Sequence, residues 1–180
     1  SDSGNFTNSI SEYSQYYGVQ VYYCSPTITG STFSNNTEHG LYAAGGASTV
    51  TSNTFTSNDG YGARLDDVTI TDYSGNGGSG NGTNGFGVRG TVDANRTLSM
   101  PSSTFPFVIP GPIGTVTVSD NMTLTLPAGT IVKGDSGGQM IVYGTLDVNG
   151  TSASPVIFTS LKDDTFGGDT NSDLGATSPS

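Results

Sequence analysis

Apolar and polar residues alternate along this chain in short runs. Ile28 sits between threonines in "TITGSTF" (Thr27 to Phe33), and Leu41 and Ala43 flank Tyr42 in "GLYA" (Gly40 to Ala43). That period of two belongs to strands with one buried face. Glycine, asparagine and serine interrupt the runs every few residues, as turn residues do. Ala, Leu, Glu and Lys nowhere gather at a 3.6-residue period, so no helix is predicted.

The runs recur. "TITGSTFSNNTEHGLYA" (Thr27 to Ala43) returns as "TVTSNTFTSNDGYGARL" (Thr49 to Leu65), with Ile28 on Val50, Phe33 on Phe55, Asn36 on Asn58 and Gly40 on Gly62, each at an offset of 22 residues. One step back from Gly40 lies Gly18. A fourth, distorted copy aligns Val68, Tyr73 and Asn76 with Val50, Phe55 and Asn58, its glycine delayed to Gly87 by the insertion "GGSGNGTNG". A ring, a glycine and an apolar residue thus follow one another at Tyr17-Gly18-Val19, His39-Gly40-Leu41, Tyr61-Gly62-Ala63 and Phe86-Gly87-Val88. Strands this short cannot bury a face alone, so the period predicts a solenoid whose coils stack ~4.8 Å apart. Phe33 over Phe55 and Ile28 over Val50 are expected inside, and Asn36, Asn58 and Asn76 as a polar ladder at a turn. Leucine is too scarce for a leucine-rich repeat. The expected fold class is all-β, a right-handed parallel β-helix over residues 1–95.

Beyond residue 95 the pattern changes. The stretch 96–114 holds Pro101, Pro106, Pro110 and Pro112. Proline has no N–H to give a ladder, so this stretch is expected to be an extended connector. Strands resume in 115–180, where Val116 and Val118, then Met122, Leu124 and Leu126, alternate with threonine and other polar residues. This part is expected to be a β segment opening a further module, with an acidic loop at 163–175.

Charge narrows the function. The net charge is −10, with only 5 Lys and Arg. Binding to nucleic acid or to an anionic membrane surface would need a basic patch, so neither is expected. No apolar run is long enough to span a bilayer, so no membrane insertion is expected. Scarce lysine, abundant Thr, Ser, Asn and Gly, and acidity fit a prokaryotic protein that is secreted, extracellular or on the cell surface. No leader-like segment opens the sequence, which reads as a mature or excised segment. Cys24 is the single cysteine, so no internal disulfide can form.

Few residues carry chemistry. Asp66 and Asp67 with Arg64, and Asp72, are the carboxylates that polysaccharide cleavage would use; a solvated turn after the third coil is the preferred account of them, and no catalytic residue is assigned. His39 shares its repeat position with Tyr17, Tyr61 and Phe86, which marks a packing slot rather than a reactive one. Threonines at 27, 29, 32, 49, 51 and 54 repeat as an ice-binding face would, but Asn, Ser and Gly break the array. The stretch "DTNSDLG" places oxygen ligands at Asp169, Asn171 and Asp173, the alternation in which side chains converge on a calcium ion. Asp163 and Asp164 are expected to complete the shell. Leu174 stands where the EF-hand loop has glycine. Ca²⁺ is the expected cofactor.

Residues 106–179 resemble a family of bacterial secreted β-helix proteins, through "LTLPAGTIVKG", "IVYGTLDVNGT", "PVIFTSLKDD" and "GGDTNSD". "SPTITGSTFSNN" and "GLYA" are similar to the coils that follow in that family. The resemblance implies a right-handed parallel β-helix in large exported surface or adhesin-like proteins, mostly without catalysis. Here the family's opening segment comes last, and joining Ser180 to Ser1 gives nearly its order, save for a "WGGI"-like coil that this chain, with no Trp, lacks. One unit of a tandem array, or subunits stacked head to tail, would explain the shift, and either contact propagates. The expected function is therefore a structural extracellular module of a surface filament, sheath or adhesin stalk, with copies of itself as partners. The alternative is a β-helix that binds or degrades polysaccharide. Its mark would be exposed aromatic rings along one groove, among Tyr13, Tyr16, Tyr22, Tyr23 and Tyr42.

Overall fold

A computed structural model describes residues 4–46, 48–66 and 72–179. They form stacked coils of parallel strands, with no α-helix among them. Coil one holds β1 (Asn5–Thr7), β2 (Ile10–Glu12) and β3 (Val19–Tyr22). Coil two holds β4 (Thr27–Thr29), β5 (Thr32–Ser34) and β6 (Leu41–Ala44); coil three holds β7 (Thr49–Thr51), β8 (Thr54–Thr56) and β9 (Tyr61–Leu65). Coil four has β10 (Gly77–Ser79) and β11 (Thr83–Val88). Coil five has β12 (Gly90–Val92), β13 (Arg96–Thr97) and β14 (Phe107–Ile109); coil six has β15 (Thr115–Val118), β16 (Thr123–Pro127) and β17 (Ile131–Gly134). Coil seven has β18 (Gln139–Val142), β19 (Thr145–Asn149) and β20 (Ile157–Ser160).

Five sheets run along the stack. Sheet A is β1-β4-β7, sheet B is β2-β5-β8-β10, sheet D is β12-β15-β18 and sheet E is β13-β16-β19. Sheet C alone spans all seven coils, in the order β3-β6-β9-β11-β14-β17-β20. Its inward register is continuous: Val19, Leu41, Ala63, Phe86, Phe107, Val132 and Phe158 lie one above the next. Burying each large member of such a column is worth about 1.5–3 kcal/mol.

The corners repeat as faithfully as the strands. Asn8, Gly30, Ser52 and Gly75 all have positive φ at the bend between sheets A and B. Asn35, Ser57 and Gly80 do so after sheet B. Left-handed backbone suits glycine and asparagine and turns the chain in one residue, so a coil needs only short corners.

Next to each corner a buried polar column satisfies the bend. In one column Ser31, Asn53 and Asn76 follow one another; in the other Asn36, Asn58 and Asn81. Each asparagine Oδ1 accepts the backbone N–H of its counterpart one coil back, 3.0 Å for Ser31 on Asn53 and 3.1 Å for Asn58 on Asn81. Each Nδ2 donates to a main-chain carbonyl of that earlier coil: Asn53 to Ile28, Asn58 to Phe33, Asn76 to Val50, Asn81 to Phe55. Nothing polar is left unpaired along these columns, which is the condition for burying amides.

The 22-residue register predicted for coils one to three is the observed one, with Ile28 on Val50 and Phe33 on Phe55. Gly18 and Gly40 stack as expected, because a Cβ on Gly18 would lie 2.5 Å from the Gly40 carbonyl and one on Gly40 2.6 Å from that of Gly62. The fourth coil is different, and its expected alignment is corrected. Asp72 bridges Thr49, so Tyr73 takes the place of Val50 and not of Phe55. Asn76 continues the column of Asn53, and Asn81 is the partner of Asn58. The slot of Phe55 falls to Gly78. Thr83 pairs with Tyr61 and, after a bulge, Phe86 with Ala63 and Gly87 with Arg64. Phe86 is consequently a core ring and not a fourth member of the outer ring series, and Gly87 is not the counterpart of Gly62. Val68 lies outside the described residues, as do Ser1, Asp67 and Ser180.

The stretch 96–114 is likewise no connector outside the ladder, since β14 lies between β11 and β17. Its prolines act through their carbonyls: Pro101 accepts the Gly75 N–H and Pro106 that of Phe86. The stretch closes sheets A and B, with Phe105 stacked on Phe55, while D and E take over the wall. Residues 115–160 continue the same stack.

Candidate functional site

The outer register of sheet C runs Gln20, Tyr42, Arg64, Gly87, Val108, Lys133 and Thr159. Two features lie on this side of the solenoid, an aromatic and arginine surface over the early coils and the acidic loop over the later ones.

On the early coils rings collect. Tyr17 stacks on Tyr42 at 4.8 Å between centroids and contacts His39 at 5.3 Å. His39 meets the edge of Tyr61 at 5.5 Å, and Tyr22 meets Tyr42 at 5.8 Å. The imidazole is a packed ring, as expected for its slot, and its Nδ1 accepts the Tyr61 N–H. Burial, helped by the Arg64 charge, lowers its pKa to about 4. Among the tyrosines singled out by sequence, Tyr22, Tyr23 and Tyr42 join this ring group, whereas Tyr13 and Tyr16 lie exposed in the turn before it.

Beside the rings Asp66 gathers three donors. Arg64 Nε donates to Oδ1 at 3.0 Å, Tyr42 Oη to Oδ2 at 2.7 Å and Arg89 Nη2 to the same oxygen. Burial opposes the charge on Asp66, but the bonds from Arg89, Tyr42 and Arg64 outweigh it and hold the carboxyl below the usual range. The Arg64 guanidinium lies over the Tyr61 ring at 5.5 Å. Gly87 leaves room for this arrangement, because a Cβ there would press within 3.0 Å of the Tyr61 ring. Asp72 does not share in the cluster; its carboxylate accepts the Ser74 N–H in a local turn. Nothing in the sequence marks Arg89, because it follows the bulge that shifts the repeat.

The acidic loop returns along the solenoid. Lys133, fully buried, donates from Nζ to the Asp163 carbonyl at 2.7 Å and to the Gly168 carbonyl at 2.9 Å. Burial lowers its pKa, against the pull of Asp164, Asp163 and Asp169. Farther back, Asn84 N–H donates to the Thr170 carbonyl, Asn84 Nδ2 to the Asp169 carbonyl and Ser172 Oγ to the Asn81 carbonyl. Asn84 Oδ1 in turn accepts the Asn81 N–H, so the loop ties off the asparagine column at coil four. The signal for Lys133 was a lone cation inside the strand "IVKG"; Asn81 and Asn84 were hidden by the displaced alignment.

Within the loop, oxygens of Asp164, Asp169 and Asp173 lie within 4.8 Å of one another. Asp163 is not in that group, contrary to expectation: its carboxylate is occupied by Thr159 Oγ1 and the Thr165 N–H, which lower its pKa. Asn171 Nδ2 donates to Asp173 Oδ2 at 2.8 Å. Asp169 also accepts the N–H groups of Asp173 and Leu174, and Asp173 those of Gly175, Ala176 and Thr177. Two oxygens, Asp164 Oδ1 and Asn171 Oδ1, are buried without a partner. A polar cleft of about 340 Å³ reaches Asn171 and is bordered also by Asp135, Ser136, Ser160 and Lys162.

Residues 1–100 match the family described as right handed beta helix region, and the chain belongs to it. No curated protein and no solved structure matches the chain.

Proposed function

We propose that this chain is a structural module of an extracellular surface filament, sheath or stalk, stacked end to end with further coils of its own kind. The observation that carries the reading is the state of the two terminal coils. The inward column of sheet C stops at Phe158, which is 52 % exposed, and at the other end Phe6 and Val19 of coil one cap the core while only partly buried. Beside them β1, β2 and β3 at one end, and β18, β19 and β20 at the other, each pair on one side only. Open strand edges with apolar side chains template further pairing. All strands are parallel, so a coil added to either end repeats the same step, and the contact is heterologous and open-ended. The added coil belongs to a neighbouring module of a tandem array or to a second copy. Acidity and scarce lysine support a place outside the cell.

The loop belongs to the same reading, with Ca²⁺ held by Asp164, Asp169, Asp173 and Asn171. In its favour, the two unpartnered oxygens are the hard ligands that Ca²⁺ takes, and the ion would offset three carboxylates at close range.

Sedimentation over a concentration series, with electron microscopy of the native material, tests the assembly. Growth into filaments, abolished by Phe158→Asp, is expected. A strictly monomeric chain at high concentration, together with a parent gene holding a single copy, would end the proposal.

A further inference from the structure

We infer that Tyr17 and Tyr42 form an oxidative cross-linking site: a one-electron oxidant of the haem-peroxidase class joins the two rings through a carbon–carbon bond, with Asp66 taking the Tyr42 proton, and so staples coil one to coil two. The staple forms within one chain and does not depend on end-to-end stacking.

The fold brings the pair together. Tyr17 lies in the turn before β3 and Tyr42 in β6, so the rings belong to successive coils. Their centroids are 4.8 Å apart and their planes 16° from parallel. That is an offset stack, in which the edge of one ring lies over the other. No other pair of tyrosines among the described residues is as close: Tyr22 meets Tyr42 edge on at 5.8 Å, and Tyr22 meets Tyr23 at 6.4 Å. Groups already held in contact react as if each were at very high concentration.

The proton has a place to go. Tyr42 Oη donates to Asp66 Oδ2 at 2.7 Å. A phenol that loses an electron becomes a strong acid, and a carboxylate already bonded to it takes the proton without rearrangement. Arg64 and Arg89 hold Asp66 in position. Burial, with the bond to Asp66 and its charge, keeps the Tyr42 phenol above its ordinary pKa, so electron and proton leave together. The oxidant has a way in as well. Tyr23 is 84 % exposed and Tyr22 52 %, and the ring contacts run from Tyr23 through Tyr22 to Tyr42. An electron taken from Tyr23 is replaced from within, and the vacancy settles where a proton acceptor waits.

Two such events leave one unpaired electron on each ring of the pair, the Tyr17 proton passing to solvent. The carbons ortho to the two hydroxyls bond, their hydrogens move to the phenolic oxygens, and both phenols are restored. In sum the pair gives up two electrons and two protons; hydrogen peroxide takes them and leaves as two waters. Coil one gains by it. Its strands pair on one side only, and a covalent link to coil two limits the conformations open to it when it frays.

The test is treatment of the whole chain, at high dilution, with a haem peroxidase and hydrogen peroxide, read by dityrosine fluorescence, intact mass and peptide mapping. Expected is a monomer lighter by two hydrogens, Tyr17 joined to Tyr42, and a raised melting temperature. Tyr13, Tyr16 and Tyr143 are 73, 70 and 67 % exposed and meet the oxidant readily, so chance oxidation would mark them and join separate molecules. Tyr17→Phe and Tyr42→Phe keep the stack and lose the phenol. Each should abolish the link, with parent-like melting before oxidation showing the fold intact. Asp66→Asn should slow the link several-fold. Linkage only between molecules, linkage mapped to other tyrosines, or no linkage overturns the inference, and so does a rate in Asp66→Asn equal to the parent's.

Discussion

Phe105 lies flat on Phe55, 5.7 Å between ring centroids and 7° between planes, although the two belong to different coils and different repeats. It fills the space that Gly78 leaves in coil four, where every earlier coil with a phenylalanine at this position fills its own. A Cβ on Gly78 would run into the Phe55 carbonyl. Phe105→Ala is therefore expected to cost about 3–5 kcal/mol, the range for emptying a buried aromatic site. Chemical denaturation of the purified variant measures it.

Tyr73 makes the opposite case. Its ring is fully buried and its hydroxyl has no partner. Burial raises the phenol pKa, and a buried hydroxyl without a bond costs about 1–3 kcal/mol. Tyr73→Phe keeps the ring and removes the orphan. It should raise the melting temperature, which calorimetry checks.

The asparagine columns predict a different loss. Asn58→Leu strands the Asn36 N–H and removes the side-chain donor to the Phe33 carbonyl, while Asn81 Oδ1 keeps the backbone N–H of residue 58. At about 1–3 kcal/mol for each buried group left unpaired, this variant should lose more stability than Asn35→Leu at the neighbouring exposed corner. Denaturation midpoints of the two variants, side by side, decide it.

These three residues also mark what a reading of the sequence can and cannot see. Ile28, Phe33, Val50 and Phe55 are read correctly because coils two and three repeat at constant length and chemistry. In coil four one residue is inserted, so matching ring to ring sets Tyr73 on Phe55, whereas the chain puts Tyr73 on Val50 and hands the phenylalanine slot to Phe105. The prolines misled in the same way. Pro101 and Pro106 lack a donor but keep an acceptor, and the fold uses the acceptor. The acidic loop was legible as a cluster, but Asp163 was not separable from Asp164 without knowing that Thr159 and Thr165 hold it. The ring and arginine surface was legible only as a set of tyrosines, because Arg64 and Arg89 meet through a register that the bulge in β11 conceals.

His39 makes stability depend on pH. The folded protein holds its pKa at about 4 against 6.5 for the free side chain. As pH falls below 6.5 the unfolded chain takes a proton that the folded one refuses, so stability declines down to about pH 4 and the His39 contribution then levels off. At ~1.4 kcal/mol per pKa unit the full effect is a few kcal/mol. Melting temperatures across this window should fall less steeply with acid for His39→Gln than for the parent.

Calcium, if held as proposed, should show in the loop before anything else. Addition of Ca²⁺ is expected to give a binding heat and to slow proteolysis in 161–179, and Asp164→Asn or Asp173→Asn should remove both effects. No heat in the parent chain rules the ion out. Lys133→Met should loosen the same segment with or without Ca²⁺, since Nζ holds two of its carbonyls.

The change of walls between coils four and five has a mechanical consequence. Backbone hydrogen bonds in such a stack point along its long axis, so a pull from the ends loads them directly. Across most steps three ladders share that tension. At this step the ladder of sheet C takes it, with the Gly75 to Pro101 bond beside it. The segment 161–179 runs outside the same step, moored to Asn81 and Asn84 on one side and to Lys133 on the other. The molecule is thus a tether with a weak link and a stay laid across it. Under force it should part there first, and only after the stay has let go.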